Sequence, residues 1–431
     1  MSDTGWAGAA VAGVTAVYAL GSLRLSKSPI SSAMVFAGFG VLLGPIALNV
    51  VNLEHDKGPL LSALEAALTL VLFTDAMAVP WTELRARATL PGRLLGVGLP
   101  LSIAAGWLLA WPLLPGLSHW ELALVGAILA PTDAALGASA IANPGVPRSI
   151  RQTLNVESGL NDGMVLPFFV LFLAGVPGTS YAQEGTGGTF GRALVLSTVI
   201  GVAVGWIGGR ALSLSYQRGW IGREWAEILL LALAAGSYAL AVATKGSGFI
   251  AAWVGGLAVA AGMRDDEAKL PEDVRTAEFS EYLGSLLAML SLLIFGAVLL
   301  GPALEHLSWR IVGYAALSLT VVRMIPVVLA LAGSKLRVPT VAYIAWFGPR
   351  GLASIVLGLL VVEEHVQAAE LIERVIAITV GLSILLHGAS AVYLSGRYAD
   401  WYRRTAAAVP DLRESATASV PRRPRGIGAP D

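Results

Sequence analysis

Thirteen stretches of predominantly apolar residues follow one another along the chain, separated by short breaks that contain polar residues, proline or glycine. A helix that crosses the hydrocarbon layer of a membrane needs roughly 20 largely apolar residues. The predicted spans, numbered 1 to 13, are 5–23, 30–48, 59–80, 92–114, 119–141, 153–175, 190–211, 224–243, 247–263, 282–301, 309–333, 339–361 and 371–395. The pattern predicts an all-α, polytopic membrane protein with thirteen transmembrane helices.

The composition supports a membrane protein. Of the 431 residues 55% are hydrophobic and only 13% are charged, whereas soluble domains are about a quarter charged. Lys+Arg and Asp+Glu both total 29, so no net charge favours nucleic acid as a partner. Because the chain contains no cysteine, disulfides, thiolate nucleophiles and cysteine-bound metals are excluded.

Basic residues fall mainly on one side of the predicted spans. Loops after the odd-numbered spans 1 to 11 carry two or three Lys or Arg each, and seven follow span 13. The opposite loops contain only Lys57 and Lys245. Basic residues accumulate in cytoplasmic loops, which predicts a multi-pass protein of the cell membrane with its N-terminus outside and its C-terminus in the cytoplasm.

The ends of the chain are expected to differ in structure. Span 1 lacks a basic leading region and a convincing cleavage site, so we expect it to be retained as part of a membrane domain over 1–404. Residues 405–431 are rich in Arg, Pro, Ala and Ser and are predicted to form a disordered cytoplasmic tail.

Glycines recur at four-residue spacing within two spans. Gly201, Gly205 and Gly209 lie in span 7, and Gly40 and Gly44 lie in span 2. Small residues at this spacing allow helix backbones to approach closely in membranes. We therefore expect these glycines to pack against neighbouring helices.

Several ionisable residues lie deep within the spans, where each charge costs ~2.5–3.5 kcal/mol. Five fall near mid-span, namely Asp133, Glu157, Asp162, Arg323 and Arg350. Glu65, Asp75 and His387 form a second set of candidates that could line a cavity. Asp162 is nine residues into span 6, and a rise of ~1.5 Å per residue places it near the middle of the hydrocarbon layer.

Span 6 concentrates oxygen ligands around Asp162. Residues four apart share a helix face, so Ser158 lies beneath Asp162 and Glu157 lies beneath Asn161. A dehydrated hard cation requires such oxygens. Asp162 can therefore hold either a cation or a proton.

Spans 5 and 12 carry helix breakers at their centres. Pro131-Thr132-Asp133 interrupts the first and Phe347-Gly348-Pro349-Arg350-Gly351 the second. Unwound backbone within a membrane must be buried in protein or line a cavity, and paired interruptions in inverted repeats mark a transporter site. If spans 4–6 and 11–13 are such repeats, Asp133 could neutralise helix N-termini and Arg350 could neutralise C-termini.

The residues alone leave the individual contributions open. Asp133 and Arg350 could be structural dipole partners or could contact the ion, and Glu157 and Arg323 could form an ion pair that only holds helices together. Ser158, Thr132 and Asn161 could likewise be packing residues.

Four motifs resemble the monovalent cation:proton antiporter-1 family, which comprises NhaP-type and NHE-type sodium/proton exchangers. They are Thr132-Asp133, Glu157-Ser158 followed by Asn161-Asp162, Arg323, and Gly348-Pro349-Arg350-Gly351. Leu72-Phe73-Thr74-Asp75-Ala76 is a looser match. Ala134 departs from the proline that many members carry after Thr-Asp.

The resemblance implies an assignment for each residue of the motifs. Asp162 would bind the transported Na⁺ or the proton, with the Ser158 side chain and the Thr132 backbone as further ligands. Asn161 would organise the site, and Glu157 would pair with Arg323. Asp133 and Arg350 would compensate the broken helices.

The resemblance also implies an architecture. The fold would be NhaA/NapA-like, with inverted repeats and two broken crossing helices. The protein would be a homodimer in which core helices, about 92–175 and 309–395, move against dimerisation helices, about 5–80 and 224–301. A linker helix, about 190–211, would join them.

The predicted function is secondary-active exchange of a monovalent cation for a proton by alternating access, with both competing at Asp162. Na⁺ and Li⁺ are the first candidates and K⁺ is a further one. A carboxylate at position 161 could carry a second proton in each cycle, but the residue is an asparagine, so we expect electroneutral exchange. We expect no cofactor and no enzymatic activity.

Three rivals make different predictions. An intramembrane aspartyl protease would use Asp133 and Asp162 as a dyad, but its Gly-x-Gly-Asp signature is absent. A sodium-coupled organic-anion symporter would bind an anion at helix N-termini. A non-transporting receptor is disfavoured because the chain shows no large soluble domain.

Overall fold

The computed structural model describes residues 3–25, 28, 30–50, 57–79, 89–133, 136, 143–182, 186–263, 278–409 and 412–415. Over these residues the fold is helical and contains no strand. The helices are α1 (Asp3–Leu25), α2 (Ser32–Leu43), α3 (Lys57–Met77), α4 (Thr89–Leu113), α5 (His119–Ile128), α6 (Arg148–Gly175), α7 (Thr186–Gln217), α8 (Arg223–Ala243), α9 (Gly248–Met263), α10 (Glu278–Phe295, continued by Gly296–Leu300 and Gly301–Glu305), α11 (Trp309–Ala330), α12 (Val338–Trp346), α13 (Leu352–Glu363) and α14 (Ala369–Ala408).

Each predicted span contains a described helix, which confirms the all-α membrane fold. Eight of the helices are long and apolar enough to cross a bilayer, namely α1, α4, α6, α7, α8, α10, α11 and α14. The helices α2, α9 and α13 are apolar but shorter. The total of thirteen spans stays a prediction, because the second half of span 5 falls largely outside the described residues.

Three helices contain a single π-helical turn, and a proline explains each one. The turns are Leu94–Gly98 in α4, Gly296–Leu300 in α10 and Ser318–Val322 in α11. Pro100, Pro302 and Pro326 follow them. A proline has no N–H to donate to the carbonyl four residues earlier, and that carbonyl belongs to the π turn in all three helices. The wider turn therefore accommodates the proline without ending the helix.

The glycine rows pack as the sequence predicts. A Cβ on Gly201, Gly205 or Gly209 of α7 would lie only 2.2–2.5 Å from a backbone oxygen of α9. A Cβ on Gly40 of α2 would lie 2.0 Å from the carbonyl oxygen of Leu293 in α10. The absence of side chains thus permits two close helix contacts.

The last helix extends further than predicted. Span 13 is predicted to end at residue 395, but α14 is 40 residues long and ends at Ala408. Beyond it, Leu412 and Glu414 are buried, and the Ser149 hydroxyl of α6 donates to the Glu414 carbonyl at 2.7 Å. The disorder expected from 405 onward therefore does not hold for the described residues 405–409 and 412–415, and residues 416–431 lie outside the described chain.

Candidate ion-binding site

Helix α5 ends, and α12 is separated from α13, at the two positions where the sequence predicts breaks; residues 134, 135 and 137–142, which follow the first position, lie outside the described chain. Helix α5 ends at Ile128, and residues 131–133 have no helical structure. On the other side, residues 347–351 separate α12 from α13. Prolines at 131 and 349 cannot donate the backbone bonds that would continue a helix. The two breaks are in contact, because the Asp133 N–H donates to the Pro349 carbonyl at 2.8 Å.

Each break provides hydrogen-bond partners for backbone groups at a helix end of the other. The Ser354 hydroxyl of α13 donates to the Ile128 carbonyl at 2.7 Å. The Arg350 guanidinium, which is completely buried, donates from Nη1 to the carbonyls of Ala130 at 2.6 Å and Pro131 at 3.0 Å. In return, Leu352 N–H donates to Asp133 Oδ2 at 3.3 Å. The Arg350 guanidinium thus lies at the carbonyls that follow α5, and the Asp133 carboxylate lies at the N-terminus of α13. Helix dipoles favour this arrangement.

Helix α6 presents its polar residues to the first break. Ser158 Oγ donates to the Thr132 carbonyl at 2.5 Å, and Asn161 Nδ2 donates to Thr132 Oγ1 at 2.7 Å. The side-chain amide oxygen of Asn161 is buried without a hydrogen-bond partner among the described residues. Oxygen atoms from two elements therefore converge next to Asp162.

The Asp162 carboxylate is buried, with 7% of the residue exposed. Within the described part of the chain, no group donates a hydrogen bond to it and no basic residue forms an ion pair with it. Asp75 of α3 lies nearby, since a Cβ on Gly159 would be 3.5 Å from the Asp75 Cβ. On the following turn, Trp253 of α9 covers Gly163, where a Cβ would lie 2.2 Å from the indole ring. Asp162 therefore lies on the part of α6 that packs against α3 and α9.

A buried ion pair lies on the adjacent stripe of α6. Arg323 Nη1 and Nη2 donate to the two carboxylate oxygens of Glu157 at 2.6 and 3.0 Å, and both side chains are 4% exposed. The guanidinium rests against Gly348 of the second break, where a Cβ would lie 2.4 Å from Arg323 Nε. The pair therefore connects α6, α11 and the break between α12 and α13.

The remaining candidates separate into two places. His387 of α14 is buried beside the second break, where Nε2 lies 3.1 Å from the Trp346 carbonyl oxygen. Glu65 lies ten residues before Asp75 on α3, which corresponds to ~15 Å along the helix. Its neighbours are Tyr238 and Glu363. Glu65 therefore does not join the group around Asp162.

Sequence reasoning missed two serines that stabilise the breaks, Ser354 and Ser383. Ser383 Oγ of α14 accepts a hydrogen bond from the backbone N–H of Arg350 at 2.7 Å. Each is the polar residue of an otherwise apolar helical stretch, Leu-Ala-Ser-Ile-Val for Ser354 and Gly-Leu-Ser-Ile-Leu for Ser383. This signal could have identified them as hydrogen-bonding residues, although it could not have named their partners.

Comparisons with known proteins identify the family of the chain. The family model described as "Sodium/hydrogen exchanger, transmembrane" matches residues 12–394. The K⁺/H⁺ antiporter NhaP of Alkalimonas amylolytica is 26% identical over 336 residues, which cover 76% of this chain and 55% of that protein. Na⁺/H⁺ antiporter 2 of Zygosaccharomyces rouxii is 26% identical over 442 residues, which cover 89% of this chain and 52% of that protein. The chain thus spans about half the length of these two relatives.

Solved structures show the same fold. The sodium proton antiporter MjNhaP1 of Methanocaldococcus jannaschii at pH 8 aligns with a TM-score of 0.72 and 18% identity, over 90% of this chain and 99% of that one. An electron-microscopy structure of MjNhaP1 aligns with a TM-score of 0.66 and 20% identity, over 95% and 98%. Because the family model covers most of the membrane region, the chain belongs to the sodium/hydrogen exchanger family.

Proposed function

We propose that this protein exchanges a monovalent cation for a proton across a membrane, and that the two compete for Asp162. The observation that carries the proposal is a buried carboxylate with no described ion-pair or hydrogen-bond partner, beside the oxygens of Ser158, Thr132 and Asn161. Carboxylate, hydroxyl and carbonyl oxygens are the ligands of hard cations. The antiporter names of the two relatives reported above support exchange rather than symport.

Competition between the two ions provides the coupling. A carboxylate withdrawn from water is stabilised when it binds either a cation or a proton, since an unpaired buried charge is costly. Asp162 carries the same net charge when loaded with a monovalent cation or with a proton. The core can therefore cross between its two orientations in both loaded states, whereas the bare anion meets an electrostatic barrier.

The neighbours of Asp162 favour electroneutral exchange. Asn161, which precedes it, is an amide and does not titrate. Glu157 is engaged with Arg323, and Asp133 lies at the N-terminus of α13. Of these residues, Asp162 alone then carries one cation or one proton in each cycle. Electroneutral exchange also requires that Asp75, the acidic residue of α3 near Gly159, keep one protonation state throughout the cycle.

Proton flux in reconstituted vesicles tests the proposal. The purified protein, placed in vesicles with an internal pH probe, should dissipate a pH gradient when Na⁺ or Li⁺ is added, and K⁺ is tested in parallel. Asp162→Asn should abolish this response. The matched variant Asp400→Asn, at an exposed position paired with Arg403, should retain it. Full activity of Asp162→Asn, or a rate driven by an imposed membrane potential, would contradict the proposal.

We also propose the orientation that the distribution of basic residues predicts and the assembly that the family resemblance implies. The N-terminus lies outside, the C-terminus lies in the cytoplasm, and two copies associate through the helices of about 5–80 and 224–301. Because the natural chain contains no cysteine, the single substitutions Lys245→Cys and Arg413→Cys give unambiguous labelling sites. An impermeant thiol reagent applied to intact cells should label the first and not the second. The mass of the detergent-solubilised protein should correspond to two chains, and a monomer mass would contradict the dimer.

A further inference from the structure

One face of α14 holds both sides of the second break. Ser383, His387 and Ser390 are spaced at intervals of four and three residues and therefore share a stripe of the helix. Ser383 Oγ accepts the Arg350 N–H at 2.7 Å, on the side of the break that leads to α13. His387 Nε2 lies 3.1 Å from the Trp346 carbonyl oxygen, at the end of α12. Ser390 Oγ accepts the Trp346 indole N–H at 3.0 Å.

Both ring nitrogens of His387 lie near hydrogen-bond acceptors. Nε2 lies 3.1 Å from the Trp346 carbonyl oxygen, and Nδ1 lies 3.1 Å from both the carbonyl oxygen and the hydroxyl of Ser383. A carbonyl only accepts, so in the neutral tautomer that carries its hydrogen on Nε2, this nitrogen donates to Trp346 and Nδ1 accepts from the Ser383 hydroxyl. In this tautomer the contacts run from the Arg350 backbone N–H through Ser383 and His387 to the Trp346 carbonyl.

This series ends at the site residues of the other break. Arg350 donates to the carbonyls of Ala130 and Pro131. The next residue, Thr132, accepts hydrogen bonds from Ser158 at its carbonyl and from Asn161 at its hydroxyl. A shift of the Arg350 backbone would therefore move Thr132 relative to α6.

We propose that His387, acting through Ser383, is a positioning residue that sets the spacing of the broken helix and thereby the placement of the Thr132 oxygens beside Asp162. The inference rests on the proposed function, since it assigns His387 to the affinity of that ion site. His387 does not contact the cation. Unbroken α14 serves as a rigid support against which the interrupted α12–α13 segment is held.

The two ring nitrogens can be tested separately. His387→Gln places an amide N–H near the position of Nε2 and retains a donor for Trp346. His387→Asn places an amide oxygen near Nδ1 and retains an acceptor for Ser383. His387→Leu removes both contacts, and Ser383→Ala removes the middle of the series. Thr379→Val is the matched control, because Thr379 lies one turn before Ser383 and its hydroxyl bonds only to Val375 of its own helix.

Cation-dependent proton flux in vesicles measures the effect. His387→Leu and Ser383→Ala should raise the half-saturating cation concentration about tenfold, the expected size for losing a buried hydrogen bond, while maximal flux changes less than about twofold. His387→Gln and His387→Asn should fall between wild type and His387→Leu, and Thr379→Val should match wild type.

An unchanged half-saturating concentration in His387→Gln, His387→Asn and Ser383→Ala would overturn the inference. So would a loss of maximal flux alone, since that is the expected result of a general packing defect. Should His387→Leu fail to fold, the other three variants decide. Absence of exchange by the wild-type protein in the same vesicles would instead refute the proposed function, so the two failures are distinguishable.

Discussion

The backbone N–H of Asp133 donates to the carbonyl of Pro349 at 2.8 Å, so the segment that follows α5 is joined directly to the segment between α12 and α13. Asp133 belongs to the segment after α5, and Pro349 belongs to the segment between α12 and α13. Each break supplies hydrogen bonds to a helix end of the other. The proposed ion site thus adjoins two segments that are more than two hundred residues apart in sequence, and a disturbance of one break should reach the other.

Gly351 offers a way to disturb this junction with one methyl group. A Cβ at this position would lie 1.9 Å from Asp133 Oδ2 and 2.5 Å from its Cγ. Gly351→Ala should therefore displace the Asp133 carboxylate from the N-terminus of α13 and lower exchange roughly tenfold, in line with the typical cost of overpacking. Vesicle flux measures the loss.

Gly313→Ala is the control for that substitution. Gly313 lies within α11, where a Cβ would have nothing within 4 Å. Alanine should leave exchange unchanged and stabilise the helix by about 0.5–1 kcal/mol. Normal exchange by Gly351→Ala would show that the contact between the breaks is unimportant.

The Glu157–Arg323 pair is expected to be structural. Removing one partner of a buried pair costs about 3–5 kcal/mol because a charge is left uncompensated, whereas replacing both with neutral residues is often tolerated. Glu157→Gln and Arg323→Met should each lower the Tm of the protein in detergent, and the double variant should recover it. The double variant should also retain exchange, and a stable but inactive double variant would place the pair in the ion site itself.

An exposed pair on α14 is the reference for this comparison. Arg374 contacts Glu370, whose side chain is 80% exposed. Such pairs contribute about 0–1 kcal/mol. Arg374→Gln should therefore leave the Tm almost unchanged.

Glu414 should stabilise the end of the molecule where α12 begins. Its Oε1 accepts the Arg337 N–H at 2.9 Å and the Thr340 hydroxyl at 2.8 Å, and the residue is 2% exposed. Glu414→Ala would remove the acceptor of the Arg337 N–H and one of the two partners of the buried Thr340 hydroxyl, which also lies 3.0 Å from the Tyr398 hydroxyl. The substitution should lower the free energy of unfolding by about 1 kcal/mol. Glu414→Gln keeps an acceptor and should lose less.

The neighbouring Arg413, which is exposed, provides the control for this measurement. Arg413→Ala should unfold at the wild-type temperature. If Glu414→Ala did so as well, the contacts of Glu414 with α12 would make no contribution to stability.

Much of this architecture could be predicted because the bilayer constrains the sequence strongly. Long apolar runs predict the helices, and Pro131 and Pro349 predict the end of α5 and the gap between α12 and α13. Charges deep within a membrane span are costly and therefore predict functional residues, here Asp162, Glu157, Arg323 and Arg350. In the structure Asp162 and Glu157 lie on α6, and Arg323 of α11 pairs with Glu157. Arg350 donates to the backbone of the segment that follows α5.

Other features could not be predicted because they depend on long-range geometry. Glu65 and Asp75 are both acidic residues of α3, yet only Asp75 faces α6 at Gly159. Ser354 and Ser383 are small polar residues of a kind common in membrane helices, and their partners lie far away in sequence. Glu414 falls in a segment whose composition resembles a disordered tail, and tertiary hydrogen bonds override that composition.

Binding of Na⁺ to the purified protein, measured by calorimetry at several pH values, tests competition at one carboxylate most directly. The account predicts that, once the carboxyl is protonated, each further unit of falling pH weakens the apparent affinity about tenfold. Buffers with different ionisation enthalpies should then report one proton released for each cation bound, and Asp162→Asn should bind no cation. An affinity that does not change with pH, or wild-type binding by Asp162→Asn, would contradict the account.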